Sequence, residues 1–215
     1  MQPDLVEKWT AQHGVAITDT QRKRLATHQD MVLEKNRYMN LTAITDPVEF
    51  AVKHIIDSLT LLPYIPPALG ITLADVGTGA GFPGLALAIV REDLQVTLVD
   101  SLRKRIVFLQ EVVAALGLQN VSCIHARAED LTREGAAFDI CTARAVARLD
   151  KLAKWVLPIT KSGGTFLAMK GADVQAEVDE AKPVIEKLGG CVKAIDLVEI
   201  APGLAHSVVM VEKAL

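Results

Sequence analysis

The spacing of apolar residues divides the chain into two textures. The first seventy positions read as helical, with segments from Leu5 to His13, from Thr18 to about Tyr38, and from Pro47 to Leu62. In the third, Val48, Val52, Ile55, Leu59 and Leu62 recur at intervals of four and three, which places them on one stripe turned toward a core. Asp46 is positioned to cap this helix, with Pro47 as its first residue, where no N–H is needed. Glu49 is the third, a carboxylate form of the capping box. Pro63, Pro66, Pro67 and Gly70 then break the periodicity and read as a linker.

Beyond Ile71 the pattern changes to short β-branched runs: Ile71 to Val76, Gln95 to Asp100, Val121 to His125, Phe138 to Ala143 and Thr165 to Met169. The helices predicted between them are Gly84 to Val90, Arg103 to Leu116, Leu149 to Leu157 and Val174 to Leu188. Such alternation makes βαβ units and a parallel sheet. The last two strands, Val192 to Ile200 and Ser207 to Lys213, are separated only by Ala201 to His206, too short for a crossover, so they form a hairpin and one strand runs antiparallel. The predicted fold is α/β: a doubly wound, seven-stranded sheet of the class I methyltransferase type, mostly parallel, closed by a C-terminal antiparallel hairpin and preceded by a helical extension. Residues 1–70 are read as that extension and 71–215 as the ligand-binding domain, the two forming one compact unit.

Composition narrows this picture. A net charge of −3 and a pI near 6.0 supply no global basic field, so contact with nucleic acid has to come from a local patch. Cys123, Cys141 and Cys191 form no close pair with each other or with histidine, which suggests neither a zinc site nor a disulfide framework, and they read as small core residues of a reducing compartment. Met1-Gln2-Pro3-Asp4 carries no leader pattern, and no run of roughly eighteen uncharged apolar residues follows, so a cytoplasmic protein without membrane contact is expected, and a monomer.

The segment Asp75-Val76-Gly77-Thr78-Gly79-Ala80-Gly81-Phe82-Pro83-Gly84 lies where the first strand turns into its helix, the place where backbone can approach a ligand closely. Gly79, Gly81 and Gly84 fit dinucleotide spacing, whereas Asp75, Gly77, Gly79 and Gly81 fit the acidic form associated with S-adenosylmethionine. A carboxylate near the cradle opposes a pyrophosphate and suits a sulfonium with an ammonium. Asp100 ends the second strand, 23 residues past Gly77, where it can accept ribose hydroxyls, cap the next helix, or do both. Ala128-Glu129-Asp130 follows the third strand, the usual edge of an adenine pocket, although acidic residues there also serve as caps.

The fourth strand runs into Thr142-Ala143-Arg144-Ala145-Val146 and not into the proline-aromatic loop with which amine methyltransferases hold a nitrogen. A ring nitrogen with its own lone pair, such as guanine N7, needs no base. Arg144 stands at the cleft rim, available to a base edge, a phosphate or the cofactor. Lys170-Gly171 points there too, and both side chains are candidates for positioning the base or a phosphate. Arg103, Lys104, Arg105, Arg127, Arg148, Lys151 and Lys154 either form a phosphate-binding rim around these loops or lie on solvated helix faces. Trp9 and Trp155 are far apart, so no base-stacking platform is expected. His54, Asp57 and Ser58 share one helix face, a poor hydrolase geometry, better read as a polar edge turned to the cleft.

Several segments carry a closer resemblance: Asn40-Leu41-Thr42-Ala43-Ile44, His54-Ile55-Ile56-Asp57-Ser58-Leu59, Asp75 to Gly84, Thr97 to Arg105, and Ala143-Arg144-Ala145 with Lys170-Gly171. In this order they resemble the RsmG (GidB) family of 16S ribosomal RNA guanine-N7 methyltransferases. The resemblance implies S-adenosylmethionine as cofactor, contacted by Gly77, Phe82, Ala128, Glu129 and Arg144, with Asp100 and its neighbour Ser101 near the ribose. It also implies methylation of guanine 527, in the 530 loop of 16S ribosomal RNA, within the small subunit or an assembly intermediate. A methyltransferase for a protein or small molecule, an NAD-dependent oxidoreductase, and a non-catalytic ribosome assembly factor are the competing readings.

Overall fold

The computed structural model describes the backbone of residues 3–215 and the side chains of residues 5–215. Met1 and Gln2, on which the reading of a chain start without a leader rests, lie outside the described residues. Among the described residues no helix is long and apolar enough to cross a membrane.

A seven-stranded sheet forms the centre, in the order β3-β2-β1-β4-β5-β7-β6. Strands β1 (Thr72–Val76), β2 (Gln95–Asp100), β3 (Val121–His125), β4 (Phe138–Arg144) and β5 (Thr160–Gly171) are parallel. Strand β7 (Leu204–Lys213) runs antiparallel to both β5 and β6 (Gly190–Ala201). The ladder of the hairpin continues to Ala201 opposite Leu204, so Pro202 and Gly203 alone make the turn that the sequence pattern spread over six residues. Strand order reverses between β1 and β4, and the loops leaving the carboxyl ends of β1 to β5 share one edge, where ligands of such sheets bind.

Alternate residues of each buried strand feed two cores. Leu73, Leu98 and Leu167 join the core under α2 (Asp19–Met39), α5 (Gly84–Val90) and α6 (Arg103–Leu116), while Ala74, Val99 and Phe166 join the core under α8 (Leu149–Val156) and α9 (Gln175–Lys187). Every residue of α5 is buried, as expected of a helix that is apolar all round. Helix α7 (Ala128–Arg133), short and polar, was not foreseen by periodicity.

The N-terminal helices α1 (Pro3–Gln12) and α2 close the first core, with Val6 and Leu25 in the same cluster as Leu85. Helix α2 starts with a capping box between Thr18 and Gln21 and docks through polar side chains that satisfy helix-end carbonyls. Gln21 Nε2 donates to Val90 O at the end of α5 (3.0 Å), and Arg24 Nε to Leu116 O at the end of α6 (3.1 Å).

The third helix departs from expectation. Asp46 caps α3 (Pro47–Phe50) by accepting from the amides of Val48 and Glu49, but Glu49 reaches forward to Lys53 and does not close a capping box. A π-helical segment, Ala51–Ile56, follows, and then α4 (Asp57–Leu59). The wider π turn rotates the buried face: Phe50, Ala51, Ile55, Ile56 and Leu59 are buried, while Val48 is exposed and Val52 half-buried, which corrects the predicted stripe. The cysteines also divide. Cys141 is buried and Cys123 half-buried, but Cys191 is exposed because it lies on β6, the edge strand, contrary to its reading as a core residue.

Candidate active site

A cavity of about 260 Å³ opens at the carboxyl ends of β1, β2 and β3. Val76 and Gly77 contribute from the end of β1, Val99, Asp100 and Ser101 from the end of β2, Ala126 and Arg127 from the connection after β3, and Ala128 and Glu129 from the start of α7. Val146 and Trp155 complete the lining. Of the ligand-contact and basic-rim candidates singled out in the sequence, this cavity gathers Gly77, Asp100, Ser101, Arg127, Ala128 and Glu129. It does not include Asp75, Gly79, Gly81, Phe82, Arg144 or Lys170.

The reason for glycine differs along the loop. At Gly77, φ is 74° and an added Cβ would stand 2.6 Å from Val146 Cγ2, so a side chain would clash with the cavity wall. At Gly84 a Cβ would meet Asp75 Cβ and Leu98 Cδ2, both at 2.6 Å, so this glycine serves the packing of α5 on β1 and not a ligand. Asp75 itself lies fully buried beneath the loop. Its Oδ2 accepts from Thr78 Oγ1 (2.7 Å) and from Gly84 N (2.8 Å), and Oδ1 has no partner among the described residues. Burial pushes its carboxyl up to about 6. Asp100 ties the loop to β2: Oδ2 accepts from Gly79 N (3.0 Å) and from Arg105 (3.2 Å), and Oδ1 from Leu102 N (2.8 Å), just ahead of α6.

Phe82 and Arg144 belong to a second constellation. The Phe82 ring is stacked between His28 and His54, with centroids at 4.6 and 5.1 Å, and the Arg144 guanidinium lies 5.5 Å from its centre. His28 Nε2 donates to Ala80 O (2.8 Å), so α2 pins the glycine loop, and burial pushes this imidazole down to about 4. Arg144 Nη1 donates to Asp57 Oδ2 (2.6 Å) and Lys53 O (3.0 Å), and Nη2 to His54 Nδ1 (3.1 Å). His54 therefore carries its proton on Nε2, which donates to Thr42 Oγ1 (2.7 Å). Burial and the neighbouring Arg144 charge push it to about 4. His206 Nδ1 donates to the other oxygen of Asp57 (2.6 Å). Desolvation works to raise the Asp57 carboxyl, but the hydrogen bond from His206 and the charge of Arg144 outweigh it and hold the group below its ordinary range.

The remaining basic candidates are scattered in role. Lys170 Nζ donates to Ala147 O (2.9 Å) and pairs with Glu177 (2.7 Å), Arg105 pairs with Asp100, and Arg148 pairs with Glu180. Arg103, Lys104, Arg127, Lys151 and Lys154 are exposed. Sequence reasoning missed Trp155 as a cavity wall, and it missed His28 and His206. His28 sits with Gln29 on the buried stripe of α2 between Leu25 and Val32, a polar pair at core positions that marks a satisfied contact. His206 lies 149 residues from Asp57, and nothing local connects them.

A family model described as rRNA small subunit methyltransferase G (GidB) matches residues 21–202, from α2 to the turn of the hairpin. The chain belongs to this family. A ribosomal RNA small subunit methyltransferase G from Clostridium perfringens (strain 13 / Type A) is 44% identical over 214 residues, covering 98% of this chain and 90% of that one. One from Desulfitobacterium hafniense (strain Y51) is 41% identical over 215 residues, covering 98% and 89%. Among solved structures, M. jannaschii TYW2 in complex with AdoMet superposes with a TM-score of 0.58 over 75% of this chain and 76% of that one. At 18% identity the likeness is one of fold. The GidB match takes in the cavity beyond β1 to β3 and, except for His206, the Arg144 cluster.

Proposed function

We propose that the protein transfers a methyl group from S-adenosylmethionine to N7 of a guanine in 16S ribosomal RNA, guanine 527 of the 530 loop, within the small ribosomal subunit or an assembly intermediate. The observation that carries the reading is the cavity wall: Asp100 and Glu129 bring two carboxylates beside a glycine turn that a Cβ would close. Carboxylates suit ribose hydroxyls and oppose a pyrophosphate. That disfavours an NAD-dependent oxidoreductase.

In this reading Asp100 and Ser101 hold the ribose, Ala128 and Glu129 meet the adenine edge, and Val146 and Trp155 cover its faces. Gly77 lets main chain approach, while Asp75 acts from beneath by holding Thr78 and Gly84. Phe82 and Arg144 do not line this cavity; Phe82 is assigned to the rest of the donor, and Arg144, which lines the neighbouring cavity, to the place where donor and acceptor meet. When bound, S-adenosylmethionine supplies a sulfonium methyl whose C–S bond breaks with its electron pair onto sulfur as the guanine N7 lone pair forms the new N–C bond. No proton has to be removed, so the protein's task is to position the two partners and keep them dry. The helical extension through residue 70 and the domain from residue 71 work as one unit here, because His28 of α2 holds the glycine loop.

Calorimetry should show binding of S-adenosylmethionine or its demethylated product and none of NAD. Deleting the gene should leave the target guanine unmodified. Binding of NAD, or a fully modified guanine in the deletion strain, would overturn the reading.

A further inference from the structure

A second cavity, of about 180 Å³, lies beyond the carboxyl ends of β4 and β5. Ala145 lines it and the next residue, Val146, lines the first cavity, so the two are neighbours along one edge of the sheet. Two uncommon backbone features converge on it. The π-helical segment Ala51–Ile56 delivers Asp57, and Ala145 holds φ at 55°, a left-handed conformation that costs a residue with a Cβ about 1 kcal/mol or more. Polar side chains arrive from four separate elements: Asp57, Arg144, Lys170 and His206. Arg144 is fixed by Asp57, Lys53 O and His54, and its side chain is 17% exposed.

We propose that this cavity is the acceptor-base subsite, taking a guanine swung out of the RNA with its Watson–Crick edge against Arg144 and Asp57. The inference rests on the function proposed above. Arg144 Nη1 gives both its hydrogens to Asp57 and Lys53 O and Nη2 gives one to His54, which leaves the second Nη2 hydrogen and Nε–H as donors beside the Asp57 acceptor. Guanine presents the complement, its O6 acceptor beside the N1–H and N2–H donors. Adenine presents the reverse order and is refused. Asp57 spends one lone pair on Arg144 and one on His206, and a carboxylate has about two more to offer. Holding the base by this edge leaves N7, on the opposite side, free to react. An arginine placed on N7 and O6, the common grip on guanine in duplex DNA, would block the nucleophile. His206 acts through Asp57 and is a positioning residue.

Gly171 allows a test that spares the fold. It lines the cavity, its φ is outside the left-handed region, and an added Cβ would meet nothing within 4 Å. Gly171→Phe should plug the subsite: kcat/KM for methylation of small subunits from cells lacking the protein should fall by about 100-fold or more. Affinity for S-adenosylhomocysteine by calorimetry and the melting temperature should stay at wild-type values. His206→Ala should raise KM for the subunit far more than it lowers kcat. His206→Asn, whose amide takes the place of Nδ1, should restore it. Wild-type turnover in a folded Gly171→Phe protein would overturn the subsite while leaving the methyltransferase reading intact, as would an unchanged KM in His206→Ala. Wild-type protein that labels no guanine on these subunits overturns both.

Discussion

Around the cavity beyond β1 to β3, main chain does most of the shaping: Gly77 leaves room against Val146, Gly79 N bonds Asp100, and the connection after β3 with the start of α7 supplies Ala126 to Glu129 in sequence. Around the cavity beyond β4 and β5, side chains do it, with Asp57, Arg144, Lys170 and His206 meeting from four elements. The first arrangement tolerates loss of a side chain because the wall is made of backbone. In the second, Asp57, Arg144 and His206 form one buried hydrogen-bonded network, in which removing one member strands another.

The largest effect expected from this contrast is on stability. Arg144→Met should cost about 3–5 kcal/mol, because it leaves the Asp57 carboxylate, 10% exposed, without its cation. Arg105→Met should cost less, about 1.5 kcal/mol, because Asp100, itself only 3% exposed, keeps the Gly79 and Leu102 amides as partners. Urea unfolding of both variants reads the difference, and equal losses would break the contrast. Next, Asp100→Ala should weaken S-adenosylhomocysteine binding by about 1.5–3 kcal/mol through loss of charge-assisted hydrogen bonds, measured by calorimetry. Unchanged affinity would place the ribose contact elsewhere. Trp155→Ala should weaken the same binding by about 1–3 kcal/mol if the indole covers the adenine, and the wild-type Trp155 emission should change on binding.

The last effect is a net one, on pH. His28 and His54 have folded values near 4 against 6.5 unfolded, so the stability they contribute is complete above pH 6.5 and is lost as pH falls toward 4. Asp75 has a folded value near 6 against 3.8, so it takes up a proton on folding and gains stability as pH falls through that window. The single carboxyl offsets roughly one of the two histidines, leaving a net loss of stability on acidification from pH 6.5 to 4. Asp75→Asn should steepen the decline by removing the opposing group. Urea midpoints at pH 7 and pH 5 decide this, and a shallower decline in the variant would contradict it.

What was legible in the sequence followed the same division. The strands β2 and β3 and the helices α5 and α6 lie where period and turn chemistry put them, because each buries a face that its own spacing defines. The glycine loop announced its position because a strand, a tight turn and a helix leave a local signature. The π-helical turn at Ala51–Ile56 did not, since it is tertiary contact between Arg144 and the Lys53–Asp57 stretch that the wider turn accommodates. Trp155 was set aside for its distance from Trp9, although what matters is that α8 carries it to the end of β2. His206 reaches Asp57 only because β7 lies beside β5, a pairing that the hairpin implied in outline without its register.

Methyl transfer mapped to a single nucleotide is the most direct test. Wild-type protein, labelled S-adenosylmethionine and small ribosomal subunits from cells lacking the protein should yield label in the 16S RNA at one guanine, where borohydride and aniline cut the chain as they do at N7-methylguanine. Label on a ribosomal protein, on another base, or on guanine without this cleavage would contradict the proposed function.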